Sequence, residues 1–73
     1  MSVRFPRLKA KEVIRVLRRS GFVLISTRGS HQKWRNSATE KQVIIPFHQA
    51  KEFPLGTLKS IIEGSGIPLE DWE

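Results

Sequence analysis

The hydrophobic pattern of this chain changes its period twice, and that change limits the fold more than any other feature. Ala10, Val13, Ile14 and Leu17 lie at positions i, i+3, i+4 and i+7, which predicts a helix over residues 9–19. The following segments alternate or are rich in β-branched residues, which is typical of strands. A helical period then returns near the end of the chain, so strands separate two amphipathic helices.

Three short strands are predicted between these helices. They cover residues 22–28, 31–36 and 41–47. Gly29-Ser30 supplies a tight turn or a bulge, residues 37–40 form a polar four-residue connection, and Pro46 marks the end or an edge of the third strand. Connections this short join antiparallel neighbours, so the strands are expected to form one antiparallel sheet.

The second helix is predicted to follow Pro54, a residue suited to a first helical turn. Its apolar stripe comprises Leu55, Leu58, Ile61 and Ile62. Gly64 and Gly66 are expected to end it, and Pro68 to open one further short turn. The order α-β-β-β-α predicts the α+β class, with both helices on one face of a three-stranded sheet and the other face open.

Length and composition exclude several function classes. At 73 residues the chain is expected to form a single domain, too small for a dinucleotide-binding fold or a deep substrate pocket. It contains no cysteine, which excludes disulfides, thiolate zinc sites and a cysteine nucleophile. No apolar run approaches the ~18 residues of a membrane span, and no apolar stretch of a signal peptide is present. We therefore expect a soluble, cytoplasmic protein.

Positive charge is concentrated in the first half of the chain. Residues 1–35 contain ten basic residues and one acidic residue, a net charge of +9, whereas residues 36–73 carry −3. Such a field raises the association rate with polyanions and adds affinity by counterion release. Nucleic acid, an anionic membrane surface and an acidic protein are the candidate partners. The alternative is a solvated surface that keeps the protein soluble.

The second predicted strand presents a row of polar side chains. Alternation directs His31, Lys33 and Arg35 to one face and Gln32 and Trp34 to the other. Because Trp34 is bulky, its face is expected to meet the helices, which leaves the other three on the open face. Side chains on one face are about 6.6 Å apart, close to the ~6–7 Å between successive phosphates. The row is therefore a candidate nucleic-acid surface, provided that the register does not slip by one residue.

His31 is the sharper candidate of the two histidines for chemistry. It follows Gly29-Ser30, where backbone N–H groups can approach a phosphate, and it shares its face with two cations. An imidazole exchanges a proton near neutral pH, and RNA carries its own nucleophile in the 2′-OH, so one base and one acid suffice. The alternative is a strand histidine that hydrogen-bonds locally. The acidic residues are scattered and predict neither a metal site nor a paired-carboxylate site.

Other candidates have two interpretations each. His48 either lies near His31 at the end of the third strand or caps a loop. Trp34 and Phe47 either stack on bases or belong to the core, and the core is favoured in a chain with six aromatic residues. Ser30 is expected to act in the turn or to hydrogen-bond a phosphate.

Four ordered segments of this chain recur together in one known protein family. They are Ser20-Gly21-Phe22, Arg28-Gly29-Ser30-His31-Gln32-Lys33-Trp34, Ile45-Pro46-Phe47-His48 and Gly56-Thr57-Leu58-Lys59-Ser60-Ile61-Ile62-x-x-x-Gly66-Ile67. At this spacing they resemble the HicA (YcfA-like) toxins over about residues 9–72.

The resemblance implies a fold like the double-stranded-RNA-binding domain and a ribonuclease toxin that cuts messenger RNA. It also implies a HicB-type antitoxin that covers the active site. The family's catalytic histidine lies in the Gly-Ser-His motif and corresponds to His31, and His48 matches a recurring family position. Family members often carry a glycine in the second hairpin, whereas residues 37–40 do not, which concerns the turn type only.

The sequence thus leads to the hypothesis of a metal-independent endoribonuclease that needs no cofactor and has His31 as its catalytic acid or base. The residues expected to hold phosphate or position the RNA are Arg28, Gly29, Ser30, Lys33 and Arg35. His48 is an accessory candidate. The alternative is a non-catalytic RNA-binding module. A helix-turn-helix DNA binder is disfavoured because three strands separate the two helices.

Overall fold

The computed structural model describes residues 7–47 and 51–72, and it confirms the α+β class and the order α-β-β-β-α. The elements are α1 (Ala10–Arg19), β1 (Val23–Arg28), β2 (His31–Asn36), β3 (Lys41–Pro46), α2 (Leu55–Ser65) and a final 3₁₀ turn (Leu69–Trp72). His48 lies outside the described residues. In the two described ranges, no helix combines the length and the apolar character that crossing a bilayer requires.

Helix α1 ends in a hydrogen-bonded cap at each terminus. The Lys9 N–H donates to Glu12 Oε1 over 3.0 Å, which satisfies a donor that the first turn leaves free. At the other end, the Phe22 N–H donates to the Leu17 carbonyl over 2.9 Å, and Gly21 has a φ of 95°. This Schellman motif needs a left-handed residue, a conformation that glycine adopts at the lowest cost. The cap turns the chain directly into β1.

The three strands form an antiparallel meander in the order β1-β2-β3. Strands β2 and β3 pair along their whole length, whereas the pairing of β1 with β2 shifts by one residue between Leu24 and Ser26. Ile25 is the additional residue of this β-bulge. The bulge reverses the faces of Val23 and Leu24 relative to a regular strand.

The two faces of the sheet have different environments. Trp34 is fully buried with its cross-strand neighbour Val43, on the face that packs against the helices. On the same strand, His31 is exposed. The largest fully buried side chains are Trp34, Trp72, Leu17, Ile45, Leu58 and Val13. The prediction that Trp34 faces the helices is confirmed, and Phe47 packs half-buried against the same core.

The buried stripe of α2 differs from the predicted one. Leu55 is 62% exposed, so its assignment to the stripe is wrong, because it lies at the stripe's margin in the first helical turn. The stripe consists of Leu58, Ile61, Ile62 and Ser65, at i, i+3, i+4 and i+7. The Ser65 hydroxyl is satisfied there, because it donates to the Ile62 carbonyl over 2.7 Å.

The ends of α2 also differ in detail from the prediction. Pro54 is the N-cap, one position before the helix, and Gly64 lies inside the helix instead of ending it. A Cβ atom on Gly64 would lie 3.4 Å from Val43 Cγ1, an ordinary van der Waals distance, so this part of α2 lies directly over β3. Gly66, with a φ of 71°, is the residue that ends the helix.

One backbone contact joins the segments that lead into the two helices. The Phe53 N–H donates to the Leu8 carbonyl over 2.9 Å. Beside it, Lys9 and Glu52 form an isolated antiparallel bridge. This contact holds the start of α1 close to the start of α2.

Asn36 joins the β2–β3 hairpin to the end of α1. Its side chain is buried, and Nδ2 donates to the Ser20 carbonyl over 2.8 Å. Its Oδ1 accepts from the Ala38 N–H over 2.9 Å, as an Asx-turn does. A single amide therefore shapes the connection after β2 and fixes the helix end against the sheet.

We expect Asn36→Ala to lower the free energy of unfolding by about 2 kcal/mol, because the Ser20 carbonyl and the Ala38 N–H lose their partner and the buried amide is replaced by a smaller side chain. Urea denaturation followed by circular dichroism measures this change. Ser37→Ala, at an exposed position of the same connection, is the control and should change stability by less than about 0.5 kcal/mol. Equal effects of the two substitutions would contradict the role assigned to Asn36.

Candidate nucleic-acid interface

The candidate site begins at the turn between β1 and β2. Gly29 has a φ of 56° and no positive φ occurs at Ser30, a pattern that fits a type II′ turn with glycine first. This two-residue turn places Arg28 directly opposite His31. The Ser30 carbonyl accepts from the Phe47 N–H over 2.6 Å, so the turn is also fixed to the end of β3.

The outer face is the face of the sheet that points away from the helices. Cross-strand pairing with the outward residues of β2 assigns to it Val23, Ser26, Arg28, His31, Lys33, Arg35, Gln42, Ile44 and Pro46. Three of these residues are cationic and none is acidic. No carboxylate among the nine competes for the cations, so their positive potential is available to an anion.

The three cations of the outer face and His31 differ in exposure. Arg28 and His31 are exposed at the turn, whereas Lys33 and Arg35 are half-buried further along β2. Half-burial suits long basic side chains, whose aliphatic stems lie along the sheet while the charged groups reach solvent. The imidazole of His31 therefore lies at one end of a row on β2, and the ammonium group of Lys33 and the guanidinium group of Arg35 follow it at every second residue.

The predicted site residues are thus brought together, with one outside the described residues. Arg28, Gly29, Ser30 and His31 lie at the turn, and Lys33 and Arg35 continue the row on the same face. The position of His48 stays untested because it lies outside the described ranges.

Arg18 does not belong to the outer face. Its guanidinium carbon is 5.4 Å from the centroid of the Trp34 ring, which lies on the side of the helices. This distance is that of a cation–π contact, so Arg18 helps to cover the core residue of β2.

Sequence reasoning missed the apolar part of the outer face. Ile44 is 53% exposed and lies directly opposite Lys33. In the sequence, Val43, Ile44 and Ile45 form a continuous apolar run, which hides the alternation of β3. The outward position of Ile44 could be inferred only from the pairing of the strands. Directly paired residues share a face, so the partner of Lys33 points outward and the partner of Trp34 points towards the helices.

The arrangement can bind a phosphodiester and offer one proton-transfer group to it. Backbone donors at the Gly29-Ser30 turn lie beside His31, and the nearest cations are Arg28 across the turn and Lys33 on the same strand. Within residues 7–47 and 51–72, no three His, Asp or Glu side chains converge as a metal site would require.

Most of the chain matches the model of a known protein family. The family model for the HicA toxin of bacterial toxin-antitoxin systems matches residues 10–67, a range that contains α1, the complete sheet and α2. All nine residues of the outer face fall inside the matched range. No curated protein matches the chain at a significant level.

We expect Lys33→Ala and Arg35→Ala each to weaken RNA binding and to lower the slope of log K against log salt by about one unit, because each removes one cation of the outer face that is expected to contact a phosphate. Fluorescence anisotropy with a labelled single-stranded RNA at several salt concentrations measures the slope. The matched control is Lys59→Ala, which removes an exposed cation from α2. A control that lowers the slope as much as the other two would show that RNA senses only the total charge.

Proposed function

This chain belongs to the HicA family of bacterial toxin–antitoxin toxins, and we propose that it is an endoribonuclease that cleaves messenger RNA with His31 as its catalytic acid or base. The observation that carries this proposal is the setting of His31. The imidazole is exposed at the start of β2, directly opposite Arg28, on a face that holds two further cations and no acid. A phosphodiester held there would lie within reach of one proton-transfer group.

In the proposed reaction, the 2′-oxygen of the RNA attacks the adjacent phosphorus in line, and the bond from phosphorus to the 5′-oxygen breaks. The proton of the 2′-OH goes to a base, and the leaving 5′-oxygen receives a proton from an acid. His31 performs one of these two transfers. The products are a 2′,3′-cyclic phosphate and a 5′-hydroxyl, so atoms and charges balance without any further reactant.

The second proton transfer needs another group, for which His48 is the accessory candidate. His48 follows β3 by two positions, and the last residue of β3, Pro46, pairs directly with His31. The chain therefore passes beside the catalytic histidine just before it reaches His48.

The cations have a separate role in this proposal. Arg28 and Lys33 hold the scissile phosphate and stabilise the charge that develops on its oxygens, while Arg35 binds the next phosphate along β2. The backbone N–H groups of the Gly29-Ser30 turn add further hydrogen-bond donors for the phosphate. Phosphate contacts carry no base information, so this face positions the RNA without selecting its sequence.

A HicB-type antitoxin is the partner that family membership implies in general, and we propose that it acts on the outer face. An acidic surface laid over Lys33 and Arg35 would neutralise the cations that bind RNA. It would also cover His31 at the same time. Inhibition by this route requires no conformational change in the toxin.

We expect His31→Ala to abolish RNA cleavage and growth arrest while the fold and RNA binding persist, because the side chain is exposed and the cations remain. A gel assay measures cleavage, circular dichroism checks the fold, and anisotropy checks binding. Full cleavage by the folded variant would end the catalytic assignment. That result would favour the second candidate function, a non-catalytic RNA-binding module. The three cations of the outer face are sufficient to support RNA binding without catalysis.

We further expect cleavage to continue in excess EDTA, because the proposed reaction uses the RNA's own 2′-oxygen and protein proton-transfer groups. The same gel assay, with and without chelator, tests this expectation on the unmodified protein. Loss of cleavage that Mg²⁺ or Mn²⁺ restores would contradict it. That result would show that acidic residues form a site together with groups outside the described ranges.

A further inference from the structure

Strand β1 presents an apolar edge that nothing in the described residues covers. All six of its side chains are exposed, including Val23 at 58%, Leu24 at 44% and Ile25 at 47%. The strand lies at one end of the order β1-β2-β3, so its outer backbone groups have no strand partner among residues 7–47 and 51–72. An exposed hydrophobic edge of this kind can pair with another strand.

The opposite edge of the sheet is protected in the usual ways. Strand β3 ends in Pro46, which cannot donate to a ladder, and begins with Lys41. Helix α2 packs against this strand, and Val43 and Ile45 are buried. Three large apolar side chains are thus exposed on β1, whereas one, Ile44, is exposed on β3.

The helices do not fully cover β1 on the helix-facing side of the sheet, as Leu24 shows. It pairs with Trp34, so it lies on the helix-facing side of the sheet, yet it is half-exposed while Trp34 is fully buried. A strand added beside β1 could therefore bury apolar side chains on both faces.

The charge around β1 selects the kind of partner. Val23 pairs with Arg35, Ser26 with Lys33, and Arg28 closes the strand. Near Leu24, Arg18 lies over the Trp34 ring. A second copy of this chain would bring its own cationic half against these groups, since residues 1–35 carry +9. An acidic segment would be attracted instead.

We propose that β1 is the docking strand for an extended, acidic segment of a partner protein, which pairs with it as a fourth strand of the sheet. Main-chain hydrogen bonds to β1 supply affinity, as in other cases of strand addition. Apolar side chains of the segment pack against Val23 and Ile25, and its carboxylates meet Arg28 and Arg35. The docking strand shares Val23, Arg28 and Arg35 with the outer face, but the backbone edge that would pair with the segment is the edge of β1 opposite to β2. The proposal does not depend on RNA cleavage.

The test uses a synthetic peptide of about nine residues that alternates valine and glutamate, titrated into the ¹⁵N-labelled protein. Amide shifts and slowed hydrogen exchange are expected to be concentrated in β1. Ile25→Thr should weaken binding at least about fivefold, because it removes apolar area but keeps a β-branched residue. Ile44→Thr is the matched control, since Ile44 is equally exposed on β3, and it should change affinity less than about twofold.

Two further peptides and one further variant make the test specific. Methylation of alternate peptide nitrogens should abolish binding, because it removes main-chain donors, and a valine–lysine peptide should bind at least about tenfold more weakly. His31→Ala should bind the acidic peptide unchanged, which separates docking from cleavage. Absence of β1 shifts at about 1 mM peptide, equal binding of the lysine peptide, or equal effects of Ile25→Thr and Ile44→Thr would overturn the proposal. A dimer in sedimentation that Ile25→Thr dissociates would also overturn it, in favour of a second copy.

Discussion

The burial of Trp34 is the constraint on which the rest of this structure depends. Truncation of a buried tryptophan costs about 3–5 kcal/mol, a large part of the stability of so small a protein. Side chains on a strand alternate, so a slip of one residue in β2 would expose Trp34 and bury His31 and Lys33. The residue that stabilises the fold therefore also determines which face carries the cations. The cation–π contact of Arg18 with the Trp34 ring further stabilises the buried position of Trp34.

Much of the fold could be predicted because local signals and tertiary packing agree. The bounds of β2 and the open face of the sheet followed from alternation and turn chemistry. The bulge at Ile25 could not be predicted, because a bulge is an offset between two strands and no pattern within one strand reports it. The error at Leu55 has a related cause. The sequence shows which residues are apolar, whereas the packing shows that Ser65 completes the buried stripe.

The candidate site shows what charge in a sequence does and does not specify. The cationic half of the chain divides between two surfaces, because the cations of β1 and β2 lie on the outer face while Arg18 covers an aromatic ring on the side of the helices. From the net charge alone, every cation of this half of the chain would be expected to contact RNA. Strand pairing separates them, since it identifies nine residues on one face and shows that none is acidic. The position of a cation relative to the sheet thus matters more than the total.

The contact between Leu8 and Phe53 has a consequence for the order in which the chain folds. The two hairpins join neighbours in the sequence, whereas this contact joins residues about 45 positions apart. Closing so long a loop costs entropy that only later packing offsets, so the hairpins are expected to form first and the helices to dock last. A nascent chain on the ribosome that ends before α2 lacks the cover of Val43 and Ile45, and a small sheet with one bare apolar face is marginal in water. The complete outer face is therefore expected to become stable only after α2 has been synthesised and can pack against β3.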